Sequence, residues 1–130
     1  AGSSPLVIAV TVLTSMDEKA LCEAINRQGP YSPAVHVPYL AKLAKSSGMH
    51  GVVASAHEIE LIRNTCGKGF KLVIPGIRPS GPSADDQKRT MTAAEAAAKG
   101  ADFIVVGRPV LKAPDPARAA REIVNELAIG

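Results

Sequence analysis

The sequence predicts an α/β fold built from four βα units with parallel strands. Four short runs of apolar, often β-branched residues alternate with stretches of helical periodicity, and most of these stretches open with a residue that can cap a helix. This alternation indicates a parallel sheet, because parallel strands need crossover connections. The length of 130 residues predicts a single domain, residues 1–130, and the aromatic content of 3% predicts an aliphatic core.

The first unit follows residues 1–4, which are interpreted as a linker or a remnant of cloning. Residues 6–13 are almost all apolar, which predicts a strand buried on both faces. Ser15 and Glu18 fit a capping box, so the first helix is expected to start there and to run to about Gln28, before Gly29-Pro30.

Two helices enclose the second predicted strand, residues 51–54. The helix before it is expected to end near Gly48, because glycine readily adopts the left-handed conformation of a helix C-cap. The helix after it starts at a second capping box, Ser55 with Glu58. The residues predicted to face inward are Val37, Leu40, Ala41 and Ala44 in the earlier helix and Ile59, Ile62 and Cys66 in the later one.

The third predicted strand, residues 70–74, leads into the longest loop. Pro75-Gly76 ends the strand, and Gly, Pro, Ser and Asp dominate the chain until about Thr90. Thr92 and Glu95 then form a third capping box for an Ala-rich helix that stops at Gly100.

The fourth predicted strand, residues 102–106, precedes the last helix. Asp115 is expected to cap that helix, with Pro116 at the first helical position, where proline is well tolerated. One face of the helix is predicted to carry Ala117, Ala120, Ile123, Val124 and Leu127.

Composition excludes several classes of function. The net charge of +3 comes from 15 basic and 12 acidic residues that are scattered rather than clustered, which argues against nucleic acid as a partner. Cys22 and Cys66 lack the spacing of a zinc site or a disulfide framework, so both are interpreted as reduced thiols in a cytoplasmic protein. The apolar run of residues 6–13 is too short to cross a bilayer and follows no basic leader, so no membrane association is expected.

Two architectures fit four βα units: an open, doubly wound sheet, or a segment of a (β/α)8 barrel. A complete barrel needs about 250 residues, so this chain corresponds to half of one. A half-barrel leaves an unpaired edge on its first and last strands, and such edges are expected to pair with another chain. We therefore expect a homo-oligomer.

Ligand sites of parallel α/β folds lie at the carboxyl ends of the strands. The residues at these positions are Thr14, Ser15, Ser55, Pro75 to Arg78, Gly107 and Arg108. They include hydroxyl residues, glycines and arginines but no Lys, Asp or Glu. The strand ends therefore contain few residues that could act as a general acid or base.

The positions of glycine and arginine after the last predicted strands suggest a phosphate-binding site, which is the main functional hypothesis. Gly107 and Arg108 follow the last strand, where backbone N–H groups and a guanidinium can bind phosphate, and Arg78 and Gln87 belong to the loop before it. The alternative is that Gly107 serves a tight turn and Arg108 is a solvated surface residue. Thr14 and Ser15 can hydrogen-bond a ligand, although Ser15 has a ready structural role as a helix cap.

Other polar residues are given structural interpretations. Adjacent carboxylates in a Gly/Pro-rich loop, such as Asp85-Asp86, are more often a solvated turn than a catalytic pair. His36, His50 and His57 lie away from the predicted strand ends, so each is interpreted as structural or exposed.

Five strings of residues, in this order and spacing, identify a resemblance to a known family. They are Ala-Val-Thr-Val-Leu-Thr-Ser-Met at 9–16, Gly-Val-Val-Ala-Ser-Ala at 51–56, Pro-Gly-Ile-Arg-Pro at 75–79, Asp-Gln-Lys-Arg at 86–89 and Val-Gly-Arg-Pro at 106–109. From about Pro5 to its end, the chain resembles the C-terminal half of bacterial orotidine 5′-phosphate decarboxylases. The resemblance implies the C-terminal half of a (β/α)8 TIM barrel, and it implies a homodimer for the family.

The resemblance also implies a function. The family converts orotidine 5′-monophosphate to UMP and CO2, a step of pyrimidine biosynthesis, without a metal or an organic cofactor. By resemblance, Gln87, Arg108 and the backbone of Gly107 bind the 5′-phosphate, Arg78 belongs to the same phosphate-binding loop, and Thr14 contacts the pyrimidine.

The family's catalytic string is absent from these 130 residues. No Asp is followed by Lys two residues later and by Asp three residues after that, so no catalytic residue is assigned in this chain. We therefore expect a substrate-binding half that is inactive without an N-terminal half-barrel as its partner. One alternative is a non-catalytic half-barrel that binds phosphate ligands or self-associates. An epimerase or aldolase of another barrel family ranks lower, because its metal ligands or Schiff-base Lys are not found at the strand ends.

Overall fold

The computed structural model describes residues 4–26, 32–79 and 91–129. In chain order they form β1 (Ile8–Val10), α1 (Glu18–Ala24), α2 (Pro33–Ser46), β2 (Gly51–Val53), a 3₁₀ turn (Ala56–Glu58), α3 (Ile59–Cys66), β3 (Lys71–Ile74), α4 (Ala93–Lys99), β4 (Phe103–Ile104), α5 (Arg108–Leu111) and α6 (Pro116–Ile129). Part of the predicted linker (residues 1–3), the Asp85-Asp86 pair and Gln87 lie outside the described residues.

The four strands form one parallel sheet in the order β1-β2-β3-β4. Ala9 pairs with Val52, Val52 with Leu72, and Val73 with Phe103. Each strand therefore lies beside the next strand in the sequence, as the alternation of strands and helices predicts. The same order leaves β1 and β4 as the two edges of the sheet.

The core lies between the helices and one face of the sheet. Val52, Leu72 and Ile74 are fully buried on that face. The helical residues packed in the same cluster include Val37, Ala41, Ile59, Ile62, Cys66, Ala93 and Ala96. The predicted inward faces of α2 and α3 are thus confirmed, except that Leu40 is only partly buried.

The strand β1 is shorter and more exposed than the sequence predicts. It spans three residues rather than the eight of 6–13, and the side chain of Val10 is 60% exposed. An apolar run predicts burial on both faces, but an edge strand with helices on one face only cannot provide it. The expectation of a doubly buried strand is therefore wrong for β1 in this chain.

Of the four N-cap residues predicted from the sequence, three are confirmed: Ser55, Thr92 and Asp115. Both hydrogen bonds of the predicted capping boxes form at Ser55 with Glu58 and at Thr92 with Glu95. Oδ1 of Asp115 accepts a hydrogen bond from the Arg118 N–H at 3.0 Å, as predicted for the cap of α6.

The predicted capping box of Ser15 with Glu18 is wrong. Asp17 is the N-cap of α1, and its Oδ1 accepts a hydrogen bond from the Ala20 N–H at 2.8 Å. The chain turns before this point, because the Met16 N–H donates to the Leu13 carbonyl, and the helix therefore begins two residues later than predicted. Ser15 is consequently not used as the cap.

The two last elements also differ from the sequence prediction. The strand β4 spans only two residues, although the backbone N–H groups of Asp102 and Val105 still donate to the carbonyl oxygens of Leu72 and Ile74 on β3. In α6, Ile123 is buried but Val124 is 62% exposed, so the predicted inward face is too wide. The short helix α5 was not predicted.

A polar cluster closes the amino-terminal end of the sheet. The guanidinium of Arg63 donates to the carbonyl oxygens of Phe70 at 2.6 Å and Gly100 at 3.0 Å, and to Oδ2 of Asp102 at 2.6 Å. Asp102 also accepts hydrogen bonds from Lys71 Nζ and from the Leu72 N–H, both at 2.9 Å. Partial burial acts to raise the pKa of Asp102, but these hydrogen bonds outweigh it and hold that pKa below its ordinary value. This cluster ties α3 to β3 and β4.

Gly51 allows β2 and β3 to approach closely. A Cβ atom at this position would lie 2.1 Å from the carbonyl oxygen of Lys71, which is closer than any real contact. Only glycine fits this register of the two strands.

Among the described residues, no helix combines the length and the apolar composition needed to cross a membrane.

Candidate functional site

A cleft of about 940 Å³ opens at the carboxyl ends of the strands. It is lined by the segment after β1 (residues 12–18), the first turn of α2, the turn after β2 (residues 55–58), and residues that follow β3 and β4. This is the end of a parallel sheet where the strand-to-helix loops converge. The location agrees with the position inferred from the sequence.

Thr14 and Ser15 lie on one wall of this cleft. Both are exposed, and both follow β1 within the segment that turns toward α1. Because Asp17 caps α1 in place of Ser15, the structural role that the sequence suggested for Ser15 does not apply. Ser15, like Thr14, therefore stays a candidate for contact with a ligand.

Arg78 reaches the cleft from the segment after β3. Its backbone N–H donates to the Met91 carbonyl at 3.1 Å, and Ile77 forms a parallel bridge with Met91. The side chains of Ile77 and Met91 are buried, so the two ends of the long loop are joined at its base. This junction fixes the backbone of Arg78, whose side chain is partly buried in the cleft wall.

Arg108 reaches the same cleft from the first residue of α5, directly after β4. Its side chain is exposed, and none of the four ion pairs among the described residues involves it. Its guanidinium is thus not committed to a carboxylate of the described chain. That arrangement suits an anionic ligand better than a structural role.

Gly107 serves as the N-cap of α5 rather than as a left-handed turn residue. Its φ angle is −109°, and its carbonyl accepts hydrogen bonds from the Val110 and Leu111 N–H groups. It is not among the residues that line the cleft. The structure therefore places Thr14, Arg78 and Arg108 together at the cleft and Gly107 next to it, while Gln87 lies outside the described residues.

Carboxylates and a histidine also line part of the cleft, and none of them was predicted to be a site residue. Asp17, Glu18, His57 and Glu58 all border it. Burial raises the pKa of the Glu58 carboxyl, although the hydrogen bond from the Ser55 N–H and the nearby His57 oppose this shift. Each of these residues lies several positions after the end of β1 or β2. The sequence prediction considered only the residues directly after each strand and therefore did not include them.

The remaining histidines and cysteines lie elsewhere. The ring of His36 stacks on Tyr39 along α2, and Nδ1 of His50 accepts a hydrogen bond from the Val7 N–H at 2.9 Å. Both have structural surroundings, and His57 is exposed at the border of the cleft, so the expectation that each histidine is structural or exposed is confirmed. Cys66 is buried in the core, and burial raises the pKa of its thiol. Within the described ranges, no three His, Cys, Asp or Glu side chains are grouped so as to hold a metal ion.

Comparisons with known proteins place these features in a family. The model of the orotidine 5′-phosphate decarboxylase / HUMPS family matches residues 1–123. An orotidine 5′-phosphate decarboxylase of Geobacter sp. (strain M21) is 54% identical over 126 residues, which are 97% of this chain and 51% of that protein. A similar protein from Gluconobacter oxydans is 52% identical over 125 residues, again 51% of its length. The chain thus spans about half the length of the curated relatives it matches.

Solved structures show the same half-length match. The crystal structure of orotidine 5′-phosphate decarboxylase from Lactobacillus acidophilus is 38% identical, with a TM-score of 0.79 over 96% of this chain and 50% of that chain. An uncharacterized conserved protein from Geobacillus kaustophilus is 35% identical, with a TM-score of 0.74 and the same coverage. These matches confirm the predicted fold class, half of a (β/α)8 barrel with parallel strands. The chain belongs to the orotidine 5′-phosphate decarboxylase / HUMPS family.

Proposed function

We propose that this chain supplies the phosphate- and pyrimidine-binding half of an orotidine 5′-phosphate decarboxylase. One observation carries the proposal: Arg78 and Arg108, which follow two neighbouring strands, line the same cleft as Thr14, which follows β1. Two arginines that follow β3 and β4, and hydroxyl residues that follow β1, suit a ligand with a phosphate and a polar ring. The names of the curated relatives support this substrate class.

In this proposal the two arginines bind the 5′-phosphate. A guanidinium can donate two parallel hydrogen bonds to a phosphate and retains its charge at all physiological pH values. Arg108 stands at the start of α5 beside the backbone of Gly107, and Gln87 joins from the loop whose ends meet at Ile77 and Met91. The hydroxyl of Thr14 contacts the pyrimidine ring.

Phosphate binding would contribute to the reaction although it is remote from the bond that breaks. Loss of CO2 from orotidine 5′-monophosphate leaves an electron pair at C6 of the ring, and a proton must then be added there. Binding energy from non-reacting groups of the substrate can hold the reacting carbon in place and lower the barrier. The described residues of this chain would therefore act by binding and orientation.

The group that protonates C6 must come from a complementary half-barrel. The charged Asp-x-Lys-x-x-Asp string is absent from this sequence, and Lys71 is paired with Asp102 at the opposite end of β3. We propose that the chain is inactive alone and that its partner supplies the charged array. We further propose a cytoplasmic location, because Cys22 and Cys66 lack the spacing of a disulfide framework.

Reconstitution with a complementary half tests this function. The N-terminal half of the Geobacter relative, the part not matched by this chain, would be mixed with the 130-residue chain, and consumption of orotidine 5′-monophosphate would be followed by absorbance. We expect turnover by the mixture and none by either half alone. A mixture that associates, as judged by sedimentation, but does not consume the substrate would contradict the proposal.

A further inference from the structure

Ser55 is the first residue beyond the paired part of β2. The Ala54 N–H still donates to the Val73 carbonyl at 3.2 Å, so the hydrogen bonds between β2 and β3 end at Ala54. The sheet places β2 between β1 and β3, and Thr14, Ser55 and Arg78, which follow these three strands, line one cleft. A ligand that contacts both Thr14 and Arg78 therefore passes the end of β2, where Ser55 lies.

Three hydrogen bonds fix the position of Ser55. Its N–H donates to Oε2 of Glu58 at 2.7 Å, and its carbonyl accepts from the Glu58 N–H at 3.0 Å. Its Oγ accepts from the His57 N–H at 3.4 Å. The side chains of Ala54 and Ala56 on either side are buried. Ser55 is thus ordered before a ligand binds, which reduces the entropy that binding costs.

The hydroxyl hydrogen of Ser55 is not used by the fold. A serine hydroxyl has one donor hydrogen and two acceptor lone pairs, and the hydrogen bond from His57 occupies only a lone pair. Within residues 4–26, 32–79 and 91–129, no hydrogen bond has this hydroxyl as its donor. Ser55 is half-buried in the cleft wall, whereas Thr14 is exposed. Its hydroxyl is therefore available to an acceptor atom of a ligand.

The capping box at Thr92 shows that such a box does not require an unused hydroxyl hydrogen. The Thr92 N–H donates to Oε2 of Glu95 at 2.8 Å, and Oγ1 of Thr92 accepts from the Glu95 N–H at 3.2 Å. Oγ1 of Thr92 also donates to Oε2 of Glu95 at 3.1 Å. Ser55 makes the same box with Glu58 but lacks this last hydrogen bond. Only Ser55 of the two caps lines the cleft.

We propose that Ser55 is a specificity-determining residue whose hydroxyl donates a hydrogen bond to a carbonyl oxygen of the pyrimidine ring. This inference rests on the function proposed above, in which two arginines bind the phosphate and Thr14 contacts the ring. A site that donates a hydrogen bond to a particular ligand atom discriminates against ligands that lack that atom. Ser55 would thus help to distinguish a pyrimidine nucleotide from other phosphorylated sugars.

The ring suits Ser55 better than the phosphate does. Asp17, Glu18 and Glu58 border the part of the cleft that follows β1 and β2, and a phosphate placed there would meet groups of its own charge. A ring carbonyl is a neutral acceptor and does not incur this repulsion. The phosphate is instead matched by the arginines that follow β3 and β4.

Ligand binding by the reconstituted mixture tests the inference. Calorimetry would give the affinity for UMP, which carries the ring, and for ribose 5-phosphate, which does not. Ser55→Gly removes the hydroxyl, and glycine is tolerated at an N-cap with little loss of stability. We expect the affinity for UMP to fall about threefold to tenfold and the affinity for ribose 5-phosphate to stay the same. Ser55→Ala should give the same result, and Ser55→Thr, which keeps the hydroxyl, should bind UMP like the original chain.

Thr92→Gly is the matched control, because it alters the same kind of cap outside the cleft and should change neither affinity. Circular dichroism would verify that each variant is folded. Unchanged UMP affinity in Ser55→Gly and Ser55→Ala would overturn the inference. So would an equal loss for the two ligands, or an equal loss in Thr92→Gly, because each would indicate a structural role.

The same samples separate this inference from the proposed function. If the mixture consumes orotidine 5′-monophosphate and Ser55→Gly binds UMP as tightly as the original chain, only the role of Ser55 is wrong. If UMP affinity depends on Ser55 but the mixture has no turnover, only the proposed function is wrong. A mixture that does not bind UMP would contradict both.

Discussion

At the scale of single residues, two arginines with the same side-chain chemistry have very different surroundings. Arg63 donates six hydrogen bonds, to backbone carbonyls and to Asp102, and serves the fold. Arg108 takes part in none of the ion pairs found within residues 4–26, 32–79 and 91–129, and it lines the cleft. The sequence predicted a ligand role for Arg108 from its place after a strand, but it gave no sign of the role of Arg63. The partners of Arg63 at Gly100 and Asp102 lie 37 and 39 positions away, and only the fold brings them together.

The first residue-scale prediction concerns Arg108 in the reconstituted enzyme. Arg108→Ala should lower kcat/KM for orotidine 5′-monophosphate by the equivalent of about 2–5 kcal/mol, because it removes a charge-assisted contact with the phosphate. Activity on the nucleoside without phosphate should change little. Steady-state kinetics with both substrates measures the difference.

Arg118→Ala is the matched control for that experiment. Arg118 is exposed and paired with Glu122 on α6, so its loss should leave both activities unchanged. If Arg108→Ala reduced activity on the nucleoside and on the nucleotide equally, Arg108 would not be a phosphate ligand.

The second residue-scale prediction concerns Asp102 and pH. Hydrogen bonds from Lys71, Leu72 and Arg63 hold the pKa of Asp102 below its ordinary value of 3.8 despite partial burial. A carboxylate with a lowered pKa stabilises the fold at pH values above the unfolded pKa, and this contribution is lost as the pH falls through the folded pKa. Asp102→Asn should therefore reduce the free energy of unfolding by about 1–3 kcal/mol at neutral pH.

Urea denaturation between pH 2 and pH 7 would measure this effect. The difference between the original chain and Asp102→Asn should shrink as the pH falls from about 4, near the unfolded pKa, through the lower pKa of folded Asp102, because only below that pKa do both proteins carry a neutral side chain. Glu60 and Glu95 also have lowered pKa values, from hydrogen bonds with Lys99 and Thr92, but they are present in both proteins and cancel in the difference. A difference that did not vary with pH would contradict the role given to the charge.

At the scale of elements, helix starts could be predicted from neighbouring residues, whereas features that depend on distant residues could not. The capping boxes at Ser55 and Thr92 were predictable because both of their hydrogen bonds form within four residues. The same pattern at Ser15 failed because the chain turns between Leu13 and Met16, so the helix starts at the next residue able to cap it, Asp17. The length of β4 was not predictable from residues 102–106 alone, because a strand extends only as far as it pairs with its neighbour, and β4 pairs with β3 at Phe103 and Ile104.

An element-scale prediction follows from the contact between β2 and β3. Gly51→Ala should destabilise the chain by about 1–3 kcal/mol or more, because the added methyl group would lie 2.1 Å from the Lys71 carbonyl oxygen and the strands would have to separate. Gly69→Ala is the control, since nothing lies within 4 Å of a Cβ atom there. Thermal unfolding of the two variants would compare them, and equal stability would show that the two strands are not held at this separation.

At the scale of the whole molecule, the two ends of the sheet differ in structure: one carries a polar cluster and the other a cleft. The amino-terminal end is closed by Arg63, Lys71 and Asp102, while the carboxyl end opens into the cleft that contains Thr14, Arg78 and Arg108. In (β/α)8 barrels, residues at the carboxyl end serve the ligand and residues at the other end serve stability. The sequence predicted the position of the cleft because strand ends can be read from periodicity. The expectation that a half-barrel leaves its terminal strands open agrees with the exposure of Val10, Phe103 and Val105, which a complete barrel would bury.

The last prediction compares stability and kcat/KM for substitutions at the two ends of the sheet in the reconstituted enzyme. Arg63→Lys keeps the charge but loses the forked guanidinium that binds several carbonyl groups at once, so it should lower the free energy of unfolding by about 1–3 kcal/mol. Its effect on kcat/KM should be less than about twofold, because the cluster lies at the end of the sheet opposite the cleft. Arg108→Lys should behave in the opposite way, with unchanged stability and a reduced kcat/KM for the phosphorylated substrate, because a lysine cannot donate the same paired hydrogen bonds to phosphate. Urea denaturation and steady-state kinetics on both variants give the four values needed. If Arg63→Lys impaired catalysis as strongly as Arg108→Lys at a temperature where both are folded, the two ends of the sheet would be coupled, and the separation of stability from binding would not hold for this chain.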